Sequence, residues 1–224
     1  MLTRFNDIIL ARVFSNDTIV ALEQGAPGKV VNALCNLYHP LQTLADLMTL
    51  EEKWGVGNVE GKTLAWVGDG NNVIHDLMLG MLFLGGSVRI ATPPGYECNE
   101  GVVKTCMDFL GPEKASRLFF TTNASEAVKG ADVVVTDTWV SMGEEAIYKK
   151  KVTEFAGYQV TEELLKGANE GSLFMHCLPR HKEEVDDEVF YGPRSIVFDE
   201  AENRMWTVMA TVLGIRGLSV CGAK

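Results

Sequence analysis

Short apolar stretches alternate with helix-periodic segments along most of this chain, and this alternation constrains its fold most strongly. Between the stretches, apolar residues recur every three or four positions, which is typical of helices packed on a sheet. Short buried strands separated by helices indicate a parallel, doubly wound α/β sheet with helices on both faces. The predicted strands are residues 63–67, 87–91, 117–121, 132–136 and 173–177, and the predicted helices are 71–84, 100–110, 124–129, 161–169 and 202–213.

The first 50 residues predict part of a second α/β unit. Strands are expected at 8–13 and 29–33, with a helix at 18–24 between them. Pro40 suits the first turn of a further helix, which Gly55 would end. We therefore predict a remnant of a second domain with its linking helix (1–50), a main domain (51–213) and a tail (214–224).

Charge and cysteine content exclude several classes of protein. A formal net charge of −10 argues against binding to nucleic acid or to an anionic membrane surface. The cysteine count is odd and no C-x-x-C pair occurs, so neither a disulfide framework nor a zinc site is favoured. No apolar stretch approaches the roughly 20 residues of a membrane span. A reducing compartment is expected.

In a doubly wound sheet, ligands bind beyond the carboxyl ends of the strands, and polar residues stand at several predicted ends. GDGNN (68–72) follows the strand at 63–67 and predicts either a tight turn capped by Asn71 or an anion site at a helix start. It does not fit a dinucleotide fingerprint, because Val73 replaces the third glycine and VRIATPP lacks the acidic residue that ribose requires.

Two other strand ends carry reactive side chains. Asp137 and Ser141 follow the strand at 132–136, where the carboxylate would either receive an ammonium group or cap a helix. Cys177 ends the strand at 173–177, just before Leu178 and Pro179, as either a core thiol or a substrate contact.

Arg12, His39 and Gln42 form a third group, near a strand end and a helix start. Such side chains can bind an anion and polarise a carbonyl, although His39 alone would suit a helix-start residue bonded to backbone.

Other polar stretches predict no site. Residues 148–151 are expected to be a solvated face and 183–188 a surface loop and helix start, with His75 and Asp76 as structural or surface groups.

Five motifs occur in order: HPLQ (39–42), GDGNN (68–72), DTWVSMG (137–143), HCLP (176–179) and EAENRMW (200–206). On these motifs the chain resembles ornithine carbamoyltransferases from about residue 6 to about residue 210. The SMG and HCLP segments favour ornithine over aspartate as the substrate of the family member that it resembles.

The resemblance implies carbamoyl transfer from carbamoyl phosphate to the side-chain amine of L-ornithine, giving L-citrulline and phosphate, in arginine biosynthesis or the urea cycle. It implies no metal or organic cofactor and a homotrimer. The reducing compartment expected from the cysteines allows the cytosol or the mitochondrial matrix. Cys177, Arg12 and His39 would be catalytic. Carbamoyl phosphate would contact Arg12, His39, Gln42, Cys177, Leu178 and Arg204, and ornithine would contact Asn72, Asp137, Ser141 and Met142.

The chain departs from the family in one respect. The family's carbamoyl-phosphate domain carries a Ser-Thr-Arg-Thr-Arg phosphate loop, and this sequence contains no such stretch. We therefore expect a chain that lacks most of that domain and has weak activity alone. The alternatives are a non-catalytic amino-acid-binding paralogue, a transferase acting on another amine, or a chain completed by a partner that supplies the loop.

Overall fold

The computed structural model describes residues 1–140 and 145–218. The strands are β1 (Ile9–Arg12), β2 (Val30–Leu34), β3 (Thr63–Val67), β4 (Ser87–Ala91), β5 (Leu118–Thr121), β6 (Val133–Thr136) and β7 (Leu173–His176). The helices in these residues are α1 (Asn16–Gly25), α2 (Pro40–Trp54), α3 (Asn72–Phe83), α4 (Glu100–Lys114), α5 (Ala124–Val128), α6 (Tyr148–Glu154), α7 (Glu162–Leu165), α8 (Asp187–Phe190) and α9 (Val197–Ile215).

The main sheet has five parallel strands in the order β5-β4-β3-β6-β7. The predicted doubly wound α/β fold is therefore confirmed. The chain runs outward from β3 through β4 to β5 and then returns to the other side of β3 with β6. The strand order reverses at β3 and β6, and the region beyond their carboxyl ends, where doubly wound sheets bind ligands, is called the crevice below. β1 and β2 form a separate two-stranded parallel sheet.

Alternating side chains of the central strands enter two apolar clusters, one on each face of the sheet. In β3, Leu64 and Trp66 belong to the first cluster, and Ala65 and Val67 belong to the second. In β7, Met175 belongs to the first cluster and Phe174 belongs to the second. Burial on both faces explains why the strands read as continuous apolar runs, and it stabilises each large side chain by about 1.5–3 kcal/mol.

Several helices differ from the prediction. α9 begins at Val197, five residues before the predicted start at 202, because Val197 and Glu200 face the interior. α4 continues past 110 across a kink at Gly111, whose φ of 66° lies in the left-handed region. The predicted helix at 161–169 is only the four-residue α7, and α6 was not predicted as a helix.

The long helix α2 joins the small sheet to the main one and packs against both α3 and α9. It begins at Pro40 and ends before Gly55, as predicted. Because α2 lies between these elements, its first turn brings His39 and Gln42 close to the start of α9. No helix in the described part of the chain has both the length and the apolar character needed to cross a membrane.

We expect the purified chain to self-associate. Large apolar side chains are exposed on β1 and the segment after it (Leu10 and Phe14) and along α9 (Met205, Trp206 and Met209). Exposed sheet edges and apolar patches favour association between chains, and a two-stranded sheet is marginally stable alone. Light scattering should show an apparent mass that rises with concentration, and less so in Met209→Lys. A clean monomer at high concentration would contradict this expectation.

Candidate functional site

The candidate site lies at the carboxyl ends of β3, β6 and β7, where α2, α3 and α9 also contribute residues. Asn71 caps α3 and its side chain accepts hydrogen bonds from the backbone N–H groups of Val73 and Ile74. Its amide also donates to Asp137 Oδ2 at 2.8 Å. The capping role predicted for Asn71 is therefore confirmed, and the same side chain connects the turn after β3 to the loop after β6.

Asp137 also meets the end of β7. The thiol of Cys177 donates to Asp137 Oδ1, with Sγ and Oδ1 2.8 Å apart. Burial raises the pKa of Cys177 well above its usual value, and the nearby Asp137 carboxylate raises it further by charge and by accepting the hydrogen bond. The thiol therefore remains protonated near neutral pH, so this geometry favours a hydrogen-bond donor over a general base.

His39 stands just before α2, and its backbone N–H donates to Asp76 Oδ2 at 2.5 Å. Burial, then the charges of Arg204 and Arg12, lower the pKa of His39 to about 3. The imidazole is therefore neutral near pH 7 and can donate to a carbonyl oxygen without carrying a charge itself. Its Nδ1 is buried and has no hydrogen-bond partner among the described residues, so this nitrogen is an unsatisfied polar atom of the site.

Gln42 and Arg204 contact each other across the crevice. Arg204 Nη1 donates to Gln42 Oε1 at 2.5 Å and lies 3.4 Å from His39 Nε2. Sequence reasoning placed these three residues in one site, and the structure brings them together. Arg12 lies exposed at the end of β1. Burial lowers the pKa of Arg204, and the charge of Arg12 adds to this lowering, as it does for His39.

A buried pair of carboxyl groups lies behind Gln42, and sequence reasoning missed it. Gln42 Nε2 donates to Asp46 Oδ1 at 2.8 Å and to Glu200 Oε1 at 3.2 Å. Burial, followed by the charge of Asp46, raises the pKa of Glu200 well above its usual value, so the pair retains a proton. Both acids accept from the Gln42 amide, which turns its carbonyl oxygen toward Arg204. The four-residue spacing of Gln42 and Asp46 on α2 was the available signal.

The remaining predicted residues are placed as follows. Asn72 donates to the carbonyl of Cys35 at 2.6 Å and so ties α3 to the loop after β2. Leu178 has a φ of 60°, which is strained for a residue with a side chain, and its N–H donates to His176 Nδ1 at 3.0 Å. Ser141 and Met142 lie outside the described residues.

Two polar groups predicted to face solvent are buried, so those predictions were wrong. Lys151 was assigned to a solvated face, but it is 1% exposed and its Nζ lies 2.5 Å from Asp69 Oδ2 in the turn after β3. Glu184 was assigned to a surface loop, but it is also 1% exposed because its carboxylate accepts several hydrogen bonds. Lys151 pairs with Asp69, which is distant in the sequence, and Glu184 bonds to His176 at the end of β7.

His75 and Asp76 are structural, which is one of the two predicted roles. His75 is buried, with Nδ1 2.9 Å from the carbonyl of Leu37 and Nε2 accepting from Asn99 N–H at 2.9 Å. Asp76 accepts the backbone N–H of His39. Among the described residues, no cluster of three or more His, Cys, Asp or Glu side chains is arranged to hold a metal ion.

Two family models match the chain. The Asp/Orn binding domain of aspartate/ornithine carbamoyltransferase matches residues 60–214, and the carbamoyl-P binding domain of the same family matches residues 1–52. Together they cover both units of the fold.

Known proteins match over nearly the whole chain. The mitochondrial ornithine transcarbamylase of Gallus gallus is 46% identical over 215 residues, covering 96% of this chain and 60% of that protein. The mitochondrial ornithine carbamoyltransferase of Aspergillus niger is 47% identical over 223 residues. The match covers 93% of this chain and 59% of the Aspergillus protein. The chain thus spans about 60% of the length of these curated relatives.

Solved structures of similar proteins have the same fold. The ornithine carbamoyltransferase of Pyrococcus furiosus superposes with a TM-score of 0.88 at 40% identity, covering 100% of this chain and 69% of that one. The enzyme of Thermus thermophilus gives a TM-score of 0.83 at 44% identity, covering 96% of this chain and 68% of that one.

Proposed function

The chain belongs to the aspartate/ornithine carbamoyltransferase family, and we propose that it acts in carbamoyl transfer from carbamoyl phosphate to L-ornithine, giving L-citrulline and phosphate. The observation that carries this proposal is that Glu200 joins two groups, because it accepts from Gln42 and from the backbone N–H of His176, next to Cys177. Asp137 and Cys177 form one group, and His39, Gln42 and Arg204 form the other. The first suits an ammonium group, and the second suits a polarised carbonyl beside an anion.

On the amino-acid side, the Asp137 carboxylate pairs with the α-ammonium group of ornithine, and Asn72 binds the α-carboxylate. Asp137 is 5% exposed, so its charge acts at low dielectric and attracts an ammonium strongly. Ser141 and Met142 complete this side, as the resemblance implies. Cys177 and Leu178 lie at the boundary between the two substrates.

On the carbamoyl side, neutral His39 and Arg12 polarise the carbonyl oxygen, and Arg204 binds the carbamoyl or phosphate end. Gln42 presents its carbonyl oxygen as an acceptor because its amide is held by Asp46 and Glu200. The neutral side-chain amine attacks the carbonyl carbon, the bond to the phosphate oxygen breaks, and the proton that the amine loses passes to the departing phosphate. Fixed donors stabilise the oxyanion that develops during this attack.

We propose the same domain division as above: a carbamoyl-phosphate part with its linking helix (1–50), an ornithine part (51–213) and a tail (214–224). The two family models, which match 1–52 and 60–214, support it. A cytosolic or matrix location is supported by the mitochondrial relatives and by the cysteines among the described residues, which are free thiols: Cys35, Cys98, Cys106 and Cys177. The homotrimer remains a prediction.

The proposal is tested by measuring ornithine binding and citrulline formation with the chain as it is. We expect calorimetry to detect L-ornithine binding, and a colorimetric assay with carbamoyl phosphate to detect slow citrulline formation. Turnover should be slow because the predicted phosphate contacts are few. Binding without any citrulline would replace transfer with a non-catalytic amino-acid-binding role, and the absence of both would overturn the proposal.

A further inference from the structure

Glu184 is a buried carboxylate in the loop between β7 and α8, and four donors surround it. Oε2 accepts from His176 Nε2 at 2.9 Å and from the His181 backbone N–H at 2.8 Å. Oε1 accepts from His181 Nδ1 at 2.9 Å and from the Trp139 backbone N–H at 3.3 Å. A buried carboxylate with this many donors is a fixed point to which neighbouring segments are attached.

Glu184 is ionised in this environment. Burial acts to raise its pKa, but the hydrogen bonds from His176 and from the His181 backbone outweigh burial, and the pKa of Glu184 is lowered from its usual value. The negative charge therefore persists near neutral pH and strengthens each of these hydrogen bonds.

The bond to His176 controls the backbone beside Cys177. His176 Nδ1 accepts the N–H of Leu178, so the ring hydrogen is on Nε2, which donates to Glu184. Leu178 has a φ of 60°, and this conformation needs such support in a residue with a side chain. Glu184 thus holds the ring that holds Leu178 in place.

The bond to Trp139 controls the neighbouring strand end. Trp139 is two residues after Asp137, in the segment that follows β6, and its backbone N–H reaches Glu184. One carboxylate therefore ties the segment that bears Asp137 to the segment that bears Cys177 and Leu178. One direct contact between these segments is the hydrogen bond from Cys177 to Asp137, which depends on their spacing.

We propose that Glu184 is a positioning residue, which sets the ends of β6 and β7 so that Asp137, Cys177 and Leu178 together fit the amino-acid substrate. This role rests on the proposed function, because it assigns these three residues to the ornithine side. Glu184 itself touches no substrate in this proposal. It acts through His176 and through the backbone of Trp139.

Glu184→Gln, with Glu183→Gln as its matched control, tests the proposal. The control makes the same acid-to-amide change one residue away, where the partly exposed Glu183 bonds only to Tyr148 among the contacts described. Calorimetry should show L-ornithine affinity reduced about 10- to 100-fold in Glu184→Gln and unchanged in Glu183→Gln. The amide keeps the size of the side chain but loses one acceptor oxygen and the charge.

A second measurement needs no ligand. Iodoacetamide alkylation of Cys177, followed by peptide mass spectrometry of the folded protein, should be faster in Glu184→Gln than in Glu183→Gln. Loosening the two strand ends weakens the bond to Asp137, which makes the thiolate easier to form. If Glu184→Gln does not fold, His176→Phe serves instead, because its ring fills a similar space but neither donates to Glu184 nor accepts the N–H of Leu178.

The outcomes separate this role from the proposed function. If the unmodified chain binds no ornithine but Glu184→Gln still speeds alkylation, the proposed function fails and the positioning of Cys177 stands. A lower unfolding temperature with unchanged affinity and unchanged alkylation would show a structural role only and would overturn the inference. Equal alkylation and affinity in the Glu184 and Glu183 variants would also overturn it.

Discussion

Replacing Asp137 with asparagine is expected to weaken L-ornithine binding about 100-fold. The carboxylate is nearly buried between Asn71 and Cys177, both of which donate to it. Removing one partner of a buried charge pair costs about 2–5 kcal/mol, and each 1.4 kcal/mol is tenfold in affinity. Asparagine has the same shape, so the loss is assigned to charge and acceptor capacity rather than to a cavity.

Calorimetry with two ligands identifies which ammonium group Asp137 binds. L-Norvaline has the α-ammonium and α-carboxylate of ornithine but lacks its side-chain amine. If Asp137 pairs with the α-ammonium, both ligands should lose affinity by the same factor in Asp137→Asn. A loss of affinity for ornithine alone would show that Asp137 binds the side-chain amine, which would contradict its assignment to the α-ammonium.

Asp108→Asn is the control for Asp137→Asn, because it removes the same charge from an exposed position on α4, where Asp108 pairs with Lys104. It should leave both affinities unchanged. Unchanged binding in Asp137→Asn itself would show that the crevice between β3 and β6 is not the amino-acid site.

The main sheet could be predicted from the sequence because its strands are buried on both faces. VVVT in β6 and TLAWV in β3 are continuous apolar or β-branched runs, and the glycines and polar residues after them mark where they end. Helix boundaries were less certain. The first turn of α9 contains Asp199 and Glu200, which read as a polar loop until the interior position of Glu200 is known.

The residues of the site could be found one at a time, but their partners could not. Asp137 and Cys177 stood at predicted strand ends, whereas their hydrogen bond spans 40 positions. The contact from Gln42 to Glu200 spans 158 positions and depends on how α2 packs against α9. Sequence periodicity reports which face of a helix is buried and carries no information on which other helix covers that face.

The burial of three acids could not be predicted either, because it depends on partners that tertiary packing supplies. Asp46, Glu184 and Glu200 look like solvated charges in a chain of net charge −10, because a charge is seldom buried unless it is paired. In the fold, each accepts hydrogen bonds from side-chain or backbone donors of the site. Asp46 and Glu200 hold Gln42, and Glu184 holds His176, so acids to which the sequence assigned no role set the orientation of residues in the HPLQ and HCLP motifs.

Lys151→Met is expected to lower the free energy of unfolding by about 3–5 kcal/mol, which is the usual cost of removing one partner from a buried ion pair. The Lys151 ammonium lies 2.5 Å from Asp69 Oδ2, and the side chains are 1% and 12% exposed. It also lies over the rings of Tyr96 and Phe155, at 5.2 Å and 5.9 Å from their centroids. Methionine fills much of the space but leaves the Asp69 carboxylate without its cation. Urea unfolding followed by circular dichroism measures the change.

Lys150→Met is the matched control, because Lys150 precedes Lys151 on α6 but is 66% exposed and lies 3.9 Å from Glu154. Exposed ion pairs contribute little, so this variant should unfold within about 0.5 kcal/mol of the unmodified chain. Asp69→Asn combined with Lys151→Met should recover part of the loss, because the pair then loses both of its charges. Equal losses in the Lys150 and Lys151 variants would show that the Asp69–Lys151 pair does not stabilise the turn after β3. Recovery in the double variant would show that the loss arises from keeping the Asp69 charge after the Lys151 charge is removed. The Asp69–Lys151 pair would then be what stabilises the turn that presents Asn71 and Asn72.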